Sequence, residues 1–184
     1  MIFLEESKGR IDPHDMKEIK SEESLTKLND ALNKDGEIVE IEMRKGRRKY
    51  KICRILKSNF EKLIKYRDYN KLNKGLKSVS VLERINKLIY FLDFIGEKQV
   101  ENVTKEDVLK YLESKKGKSE RYLFSIKLYL RNFLKFIGND EVASWIVCKL
   151  PKYEIDDNKK LSIEEIQKII DVSDNPRDKA FIST

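Results

Sequence analysis

Residues 118 to 137 carry the side chains of this chain best suited to chemistry on a polyanion. Read as a helix at about 100° per residue, Lys118, Arg121, Ser125, Lys127, Arg131 and Lys135 fall on one arc. Tyr122, Leu123, Ile126, Tyr129, Leu130, Phe133, Leu134 and Ile137 fill the other. Apart from Glu120, the polar arc carries cations and neutral donors. Ammonium and guanidinium groups with short hydroxyls among them are what hold phosphate oxygens, and a helix anchored by its apolar side offers them as a fixed strip. Nothing comparable supports catalysis or metal binding. His14 is the single histidine, and beside Asp12 and Asp15 it reads as a surface side chain rather than a ligand. Cys53 and Cys148 make no CxxC pair, so reduced thiols are expected and neither a zinc site nor a disulfide. No cofactor is implied.

The charge is placed in a way that supports this reading. The net +7 divides into −3 over residues 1–30, +8 over 31–75, +4 over 76–140 and −2 over 141–184. Positive charge concentrated in consecutive structured segments fits a nucleic-acid surface better than a basic tail, although a lysine-rich composition can also serve solubility alone. No apolar run approaches the roughly 18 residues that span a bilayer. The opening residues Met1 to Glu6 lack the features of a secretory signal, so a cytoplasmic protein without membrane contact is expected.

The elements that must position these residues are mostly helical. Residues 1 to 20 read as a polar lead-in, with a short helix from Ser24 to Asn33 that stops at Lys34-Asp35-Gly36. The period then drops to two. Val39, Ile41 and Met43 alternate with Glu40 and Glu42, and Tyr50 and Ile52 alternate with Lys49, Lys51 and Cys53, which predicts a hairpin over about 37–54. Its turn holds Arg44, Lys45, Arg47 and Arg48, a candidate accessory DNA contact. A helix from about Ile55 to Leu72 should turn Leu56, Phe60, Leu63 and Ile64 inward and Lys57, Lys62, Lys65 and Arg67 outward.

After Lys74-Gly75-Leu76-Lys77-Ser78, four helical segments follow closely. The first runs from Ser80 to Ile95, with Gly96 ending it. The second opens on Thr104-Lys105-Glu106-Asp107, resembling a capping box with Asp in place of the usual Glu or Gln, and continues through the apolar Val108, Leu109 and Leu112. The third is the two-faced helix, and the fourth, about Asp140 to Cys148, should anchor Trp145 in the core. Ser162 and Glu165 form a further capping box. Pro176 stands at the first position of a last helix that Thr184 interrupts, so the C-terminal segment reads as an unfinished domain.

The order of these segments resembles the tyrosine recombinase (phage integrase, Xer and Cre) family over roughly residues 76 to 184. The likeness rests on the Ser80–Gly96 helix, the Val103-Thr104-Lys105-Glu106-Asp107-Val108 helix start, the Ser119–Ile137 helix, the Leu150-Pro151-Lys152 exit, and two later segments. Those are Lys160-Leu161-Ser162-Ile163-Glu164-Glu165-Ile166 and Asn175-Pro176-Arg177-Asp178-Lys179-Ala180. The resemblance implies a mainly α fold, with a four-helix core-binding (SAM-like) bundle over residues 76–152; the residue patterns above place a small α+β unit with the hairpin before it, in 1–75. Residues 153–184 would be a linker and the start of a catalytic domain. It implies integration and recombination chemistry on double-stranded DNA, with Lys77, Ser80, Arg84, Lys87, Lys118, Ser119, Arg121, Ser125, Lys127, Arg131 and Lys135 on the duplex. Other recombinase protomers or a catalytic domain would be further partners.

The family's catalytic Arg, Lys, His-x-x-Arg pair and tyrosine have no counterpart here. None of the eight tyrosines has the cationic surroundings of a nucleophile, so binding without strand cleavage is expected. Two other readings remain open at this level. One is a protein-interaction module using Phe91, Phe94, Phe124 and Leu128, and the other a transcriptional regulator with the hairpin as a wing.

Overall fold

The computed structural model describes residues 13–33, 35–44, 49–151 and 161–172, omitting the side chain of His14. The turn residues Lys45, Arg47 and Arg48 therefore lie outside the described residues. So does the expected helix beginning at Pro176. The architecture is mainly helical with one two-stranded antiparallel sheet. By compactness the chain divides into residues 1–150 and 151–184. No described helix is long and apolar enough to cross a membrane.

Helix α1 runs from Pro13 to Leu32, far longer than the short helix expected from Ser24. Proline at its first position needs no amide partner there, and its fixed φ suits the helix. Tertiary contacts rather than amphipathicity then carry a weakly patterned sequence. Leu25 and Leu28 are buried, and the side chain of Arg67 comes across to meet the helix. Arg67 Nη1 donates to Leu25 O at 2.9 Å and to Asn29 Oδ1 at 2.8 Å, while Nε reaches Asp68 at 2.8 Å. Arg67 is thus buried and structural, against the expectation that it faces outward. Its neighbours satisfy it too fully for solvent to compete.

Strands β1 (Ile38–Arg44) and β2 (Tyr50–Leu56) pair with Ile41 opposite Cys53 and Arg44 opposite Tyr50. Cross-strand partners share a face, so Val39, Ile41 and Met43 put Ile55, Cys53 and Lys51 on the inner side. The core accepts Ile55 and Cys53, and Lys51 reaches Asp93 of the helix beneath. Tyr50 and Ile52, which carry the apolar alternation of this strand, are nevertheless 62% and 60% exposed. Asp93 also accepts from the Arg54 amide at 2.9 Å, satisfying a donor on the β2 edge. Across the strands Arg54 pairs with Glu40 at 3.2 Å.

The strand continues to Leu56, so α2 starts only at Lys57 and ends at Asp68, passing into a π-helical turn, Tyr69–Asn73. Asn59, fully buried, donates to Lys98 O and accepts from Val100 N, both at 2.9 Å, fixing the loop after α3. Helix α3 (Ser78–Ile95) buries Val81, Ile85, Leu88, Ile89, Phe91 and Leu92 and packs against α1, α2, β2, α4 and α5. Phe91 lies edge-on to Tyr111 at 5.1 Å and is core, not a docking residue. Helix α4 (Lys105–Glu113) has the capping box, Asp107 N to Thr104 Oγ1 at 3.4 Å and Thr104 N to Asp107 Oδ2 at 2.9 Å. Tyr111 is buried there with Val108, whereas Leu109 is exposed.

Helix α5 (Glu120–Phe136) buries Ile126, Leu130, Phe133 and Leu134. Helix α6 (Asp140–Trp145) turns Val142, Ala143 and the following Ile146 inward. That arc centres on Ile146 and leaves Trp145 at its rim, 42% exposed rather than anchored. The buried cluster extends without a break from Leu25 and Val39 to Ile146, across residue 75. In the second unit, α7 (Ile163–Val172) opens on the Ser162–Glu165 capping box.

Arg67→Met removes three charge-assisted hydrogen bonds, two of them across the α1–α2 junction, and should cost about 3 kcal/mol in urea unfolding. A loss under 1 kcal/mol would contradict the structural role given to Arg67.

Candidate nucleic-acid interface

Among the described residues, some cations are held by carboxylates and those of α5 are not. Ion pairs among these residues link Lys51, Arg54, Lys62, Arg67, Lys71, Lys87, Lys98 and Lys105 to carboxylates. None of the cations on or next to α5 is among them. The side chains of Lys118, Arg121, Lys127, Arg131 and Lys135 make no hydrogen bond or ion pair among the described residues. Lys118, Arg121 and Lys135 are exposed; Lys127 and Arg131 are half-buried. At 1.5 Å per residue, Arg121 to Lys135 is a strip about 21 Å long. Phe124 and Leu128 lie half-buried within the same strip.

Local capping fixes where the strip begins. Ser119 Oγ accepts from Tyr122 N at 3.3 Å, so this hydroxyl caps α5. It still stands beside Lys118 and Arg121 at the helix start.

Arg84, Lys87 and Ser125 have a different environment, the seam between α3 and α5. Lys87 Nζ lies 2.6 Å from Glu83 and 2.8 Å from Ser125 Oγ, and 5.0 and 5.3 Å from the rings of Tyr129 and Tyr122. Its side chain is only 15% exposed. The Arg84 guanidinium stacks 5.2 Å from the Tyr129 ring and reaches Asn70 Oδ1 at 3.4 Å, with its Nε buried. Ser125 donates to Tyr122 O at 2.9 Å. Burial, with Glu83 beside it, pushes the Tyr129 phenol up. A cation held between two aromatic faces and desolvated contributes to helix packing, and these three residues do that rather than line the free strip.

At the start of α3, Lys77 and Ser80 are exposed, but the first amides of the helix are taken. Lys77 is the N-cap residue and supplies no side-chain acceptor. Glu18 of α1 supplies one instead, accepting from Ser78 N and, at 3.3 Å, from Val79 N. Glu22 accepts from Ser78 Oγ and pairs with Lys71. The Ser78 amide holds the Glu18 carboxyl below its ordinary range, and Lys71 does the same for Glu22. Carboxylates at a helix N-terminus are favoured by the aligned peptide dipoles. Sequence reading missed this pair because residues 1 to 20 show little apolar period. The signal available was Glu18 and Glu22 at i, i+4 behind Pro13.

At the hairpin, Arg44 is exposed and its carbonyl accepts from Tyr90 Oη at 3.3 Å. The structure therefore groups the α5 cations on one helix, separates Arg84, Lys87 and Ser125 from them, and leaves Lys77 and Ser80 beside a helix start that an acidic helix has capped. Comparison with protein-family models, curated proteins and solved structures gives no match.

The depressed carboxyls of Glu18 and Glu22 contribute stability that is present above their unfolded value of 4.5 and lost as pH falls through the lower folded value. Protection of the Ser78 and Val79 amides, measured as hydrogen exchange relative to the intrinsic rate at each pH, should therefore fall as pH drops below 4.5. In E18Q/E22Q it should already be low at pH 7, and equal protection in both proteins would remove the capping role.

Proposed function

We propose that this chain binds double-stranded DNA through the outer strip of α5, as the DNA-binding part of a protein resembling the tyrosine recombinases. In this reading α3 to α6 correspond to that family's four-helix core-binding bundle. The observation that carries it is that, among the described residues, the side chains of Lys118, Arg121, Lys127, Arg131 and Lys135 have no carboxylate partner, whereas cations such as Lys51, Arg67, Lys71 and Lys87 do. Surface ion pairs contribute little to stability, so a helix lacking them loses little in folding. Free cations on a rigid helix instead release counterions when they meet phosphates.

Lys77 and Ser80 extend this surface onto the start of α3, and Ser119 lies beside its first cations. Phe124 and Leu128 supply apolar contact within the strip, toward sugar edges or toward another protomer. The sequence holds no His-x-x-Arg pair, since its one histidine is followed by Asp15, Met16 and Lys17. The activity assigned is binding, without strand transfer.

Titration of a labelled duplex at several salt concentrations tests the assignment. Wild type should bind at low salt, and R121A/R131A/K135A should bind roughly tenfold or more weakly, with a log–log salt slope shallower by about 3. K87M should lower thermal stability and leave the slope unchanged. No binding by the wild type at low salt, or an unchanged slope in the triple variant, would remove DNA from this surface.

A further inference from the structure

At its C-terminal end α2 opens into the π-helical turn Tyr69–Asn73, closed by the Lys74 amide on Tyr69 O at 3.2 Å. Asn70 turns inward there, donating to Tyr66 O at 2.7 Å and accepting from Arg84 at 3.4 Å. Tyr69 is left outside. Its ring lies 5.2 Å from that of Phe136, the last residue of α5, and Phe136 lies 5.2 Å from the fully buried ring of Tyr66. A chain of aromatic contacts thus runs from the core to the surface. Tyr69 and Phe136, at its outer end, are 36% and 38% exposed.

The cations of this segment fall into two groups. Lys62, Arg67 and Lys71 are paired with Glu101, Asp68 and Glu22. Lys65, one turn before Tyr69 on the same side of α2, and Lys74, after the π-helical turn, have no carboxylate partner among the described residues. Lys135, next to Phe136, has none either, and all three are exposed. Lys74 instead rests its ammonium 5.1 Å from the centre of the Tyr69 ring. An exposed ammonium over an exposed ring adds little to folding, yet the two together offer a flat π face beside a positive charge on a flexible stem.

Unpaired cations suit an anionic partner, and an open ring face suits a flat one. A nucleotide supplies both, since its base stacks on the ring and its phosphate meets the ammonium that the base displaces. Within a duplex the base faces are taken by their neighbours, so such a nucleotide is unpaired. The α5 strip leads to this place, because Arg131 and Lys135 precede Phe136 on the last turns of the helix. We infer that Tyr69 and Phe136 form a stacking platform for an unpaired DNA base, with Lys65, Lys74 and Lys135 on the flanking phosphates. This rests on the DNA-binding reading above and extends it. Paired DNA lies along α5, and a strand leaving the duplex at the C-terminal end of that helix is held by the rings. Tyr66 behind Phe136 fixes the platform before DNA arrives, which keeps the ordering cost of binding low.

Anisotropy titrations of the full chain compare a blunt duplex, the same duplex with a short single-stranded extension at its 5′ or 3′ end, and the single strand alone. At least one extension should tighten wild-type binding about tenfold, and abasic spacers in place of its bases should remove the gain. Y69L/F136L keeps an apolar cover over Tyr66, and circular dichroism checks its fold; it should bind blunt and extended duplexes alike. K65Q/K74Q, which alters exposed side chains alone, should show a salt slope on the extended duplex shallower by about 1.4, at roughly 0.7 per single-strand contact, and an unchanged slope on the blunt one. Equal wild-type binding of blunt and extended duplexes, a gain that survives abasic spacers, or a gain retained by Y69L/F136L would overturn the platform and leave duplex binding through α5 standing. Base-dependent binding of the single strand, lost in Y69L/F136L, by a chain that takes no blunt duplex would keep the platform and remove the duplex reading. If none of these DNAs binds, both readings fail and the cations belong to an acidic protein partner.

Discussion

Burial of helix α3 on most of its circumference is the constraint from which the remaining structure follows. Val81, Ile85, Leu88, Ile89, Phe91 and Leu92 leave little of it for water, and α1, α2, β2, α4 and α5 all lean on it. A helix surrounded in this way has to be supplied with polar partners from outside itself. Glu18 caps its first amides and Tyr111 Oη reaches the Lys87 carbonyl at 3.5 Å near its middle, while its own Asp93 in turn accepts from the Arg54 amide at the edge of β2. Each of these ties a peripheral element to the same central rod. The small sheet would be marginal by itself and gains its stability from this packing.

The same arrangement sorts the charges. Cations that fall between elements are drawn into pairs: Arg67 between α1 and α2, Lys87 and Arg84 between α3 and α5, and Lys51 between β2 and α3. Cations on the outside of α5 have no carboxylate partner among the described residues and keep their charge for solvent or for a ligand. A net basic composition thus becomes a localised basic surface. The acidic helix α1 has the opposite role, because its carboxylates go to the start of α3 and to Lys71. The strip gains definition from the neutralisation of its neighbours.

Much of the core was legible in the residues. The α5 arc, the Thr104–Asp107 and Ser162–Glu165 capping boxes, the alternation in β1 and the stop at Gly96 each depend on a few neighbouring residues, and local chemistry settles them. The misread positions share another property, since each required knowing what lay opposite. Tyr50 and Ile52 alternate as convincingly as Cys53 and Ile55, and only the pairing of Ile41 with Cys53 selects the inner set. Phe91 falls off the apolar arc of its helix, yet Tyr111 of α4 covers it. Trp145, the largest apolar side chain, lies at a rim because Val142, Ala143 and Ile146 face the core instead. Arg67 reads as a surface cation until Leu25 O and Asn29 are brought to it.

The amino-acid sequence alone determined the helical character of this protein, the hairpin, the placement of its positive charge and the two faces of α5. These follow from period, propensity and charge, which act between residues close in the chain. Tertiary structure decided which face of β2 is buried, that residues 13–32 form one helix, and which of Arg84, Lys87, Arg121 and Arg131 remain free. Those outcomes turn on hydrogen bonds and packing between residues tens of positions apart, and no local pattern encodes such partners.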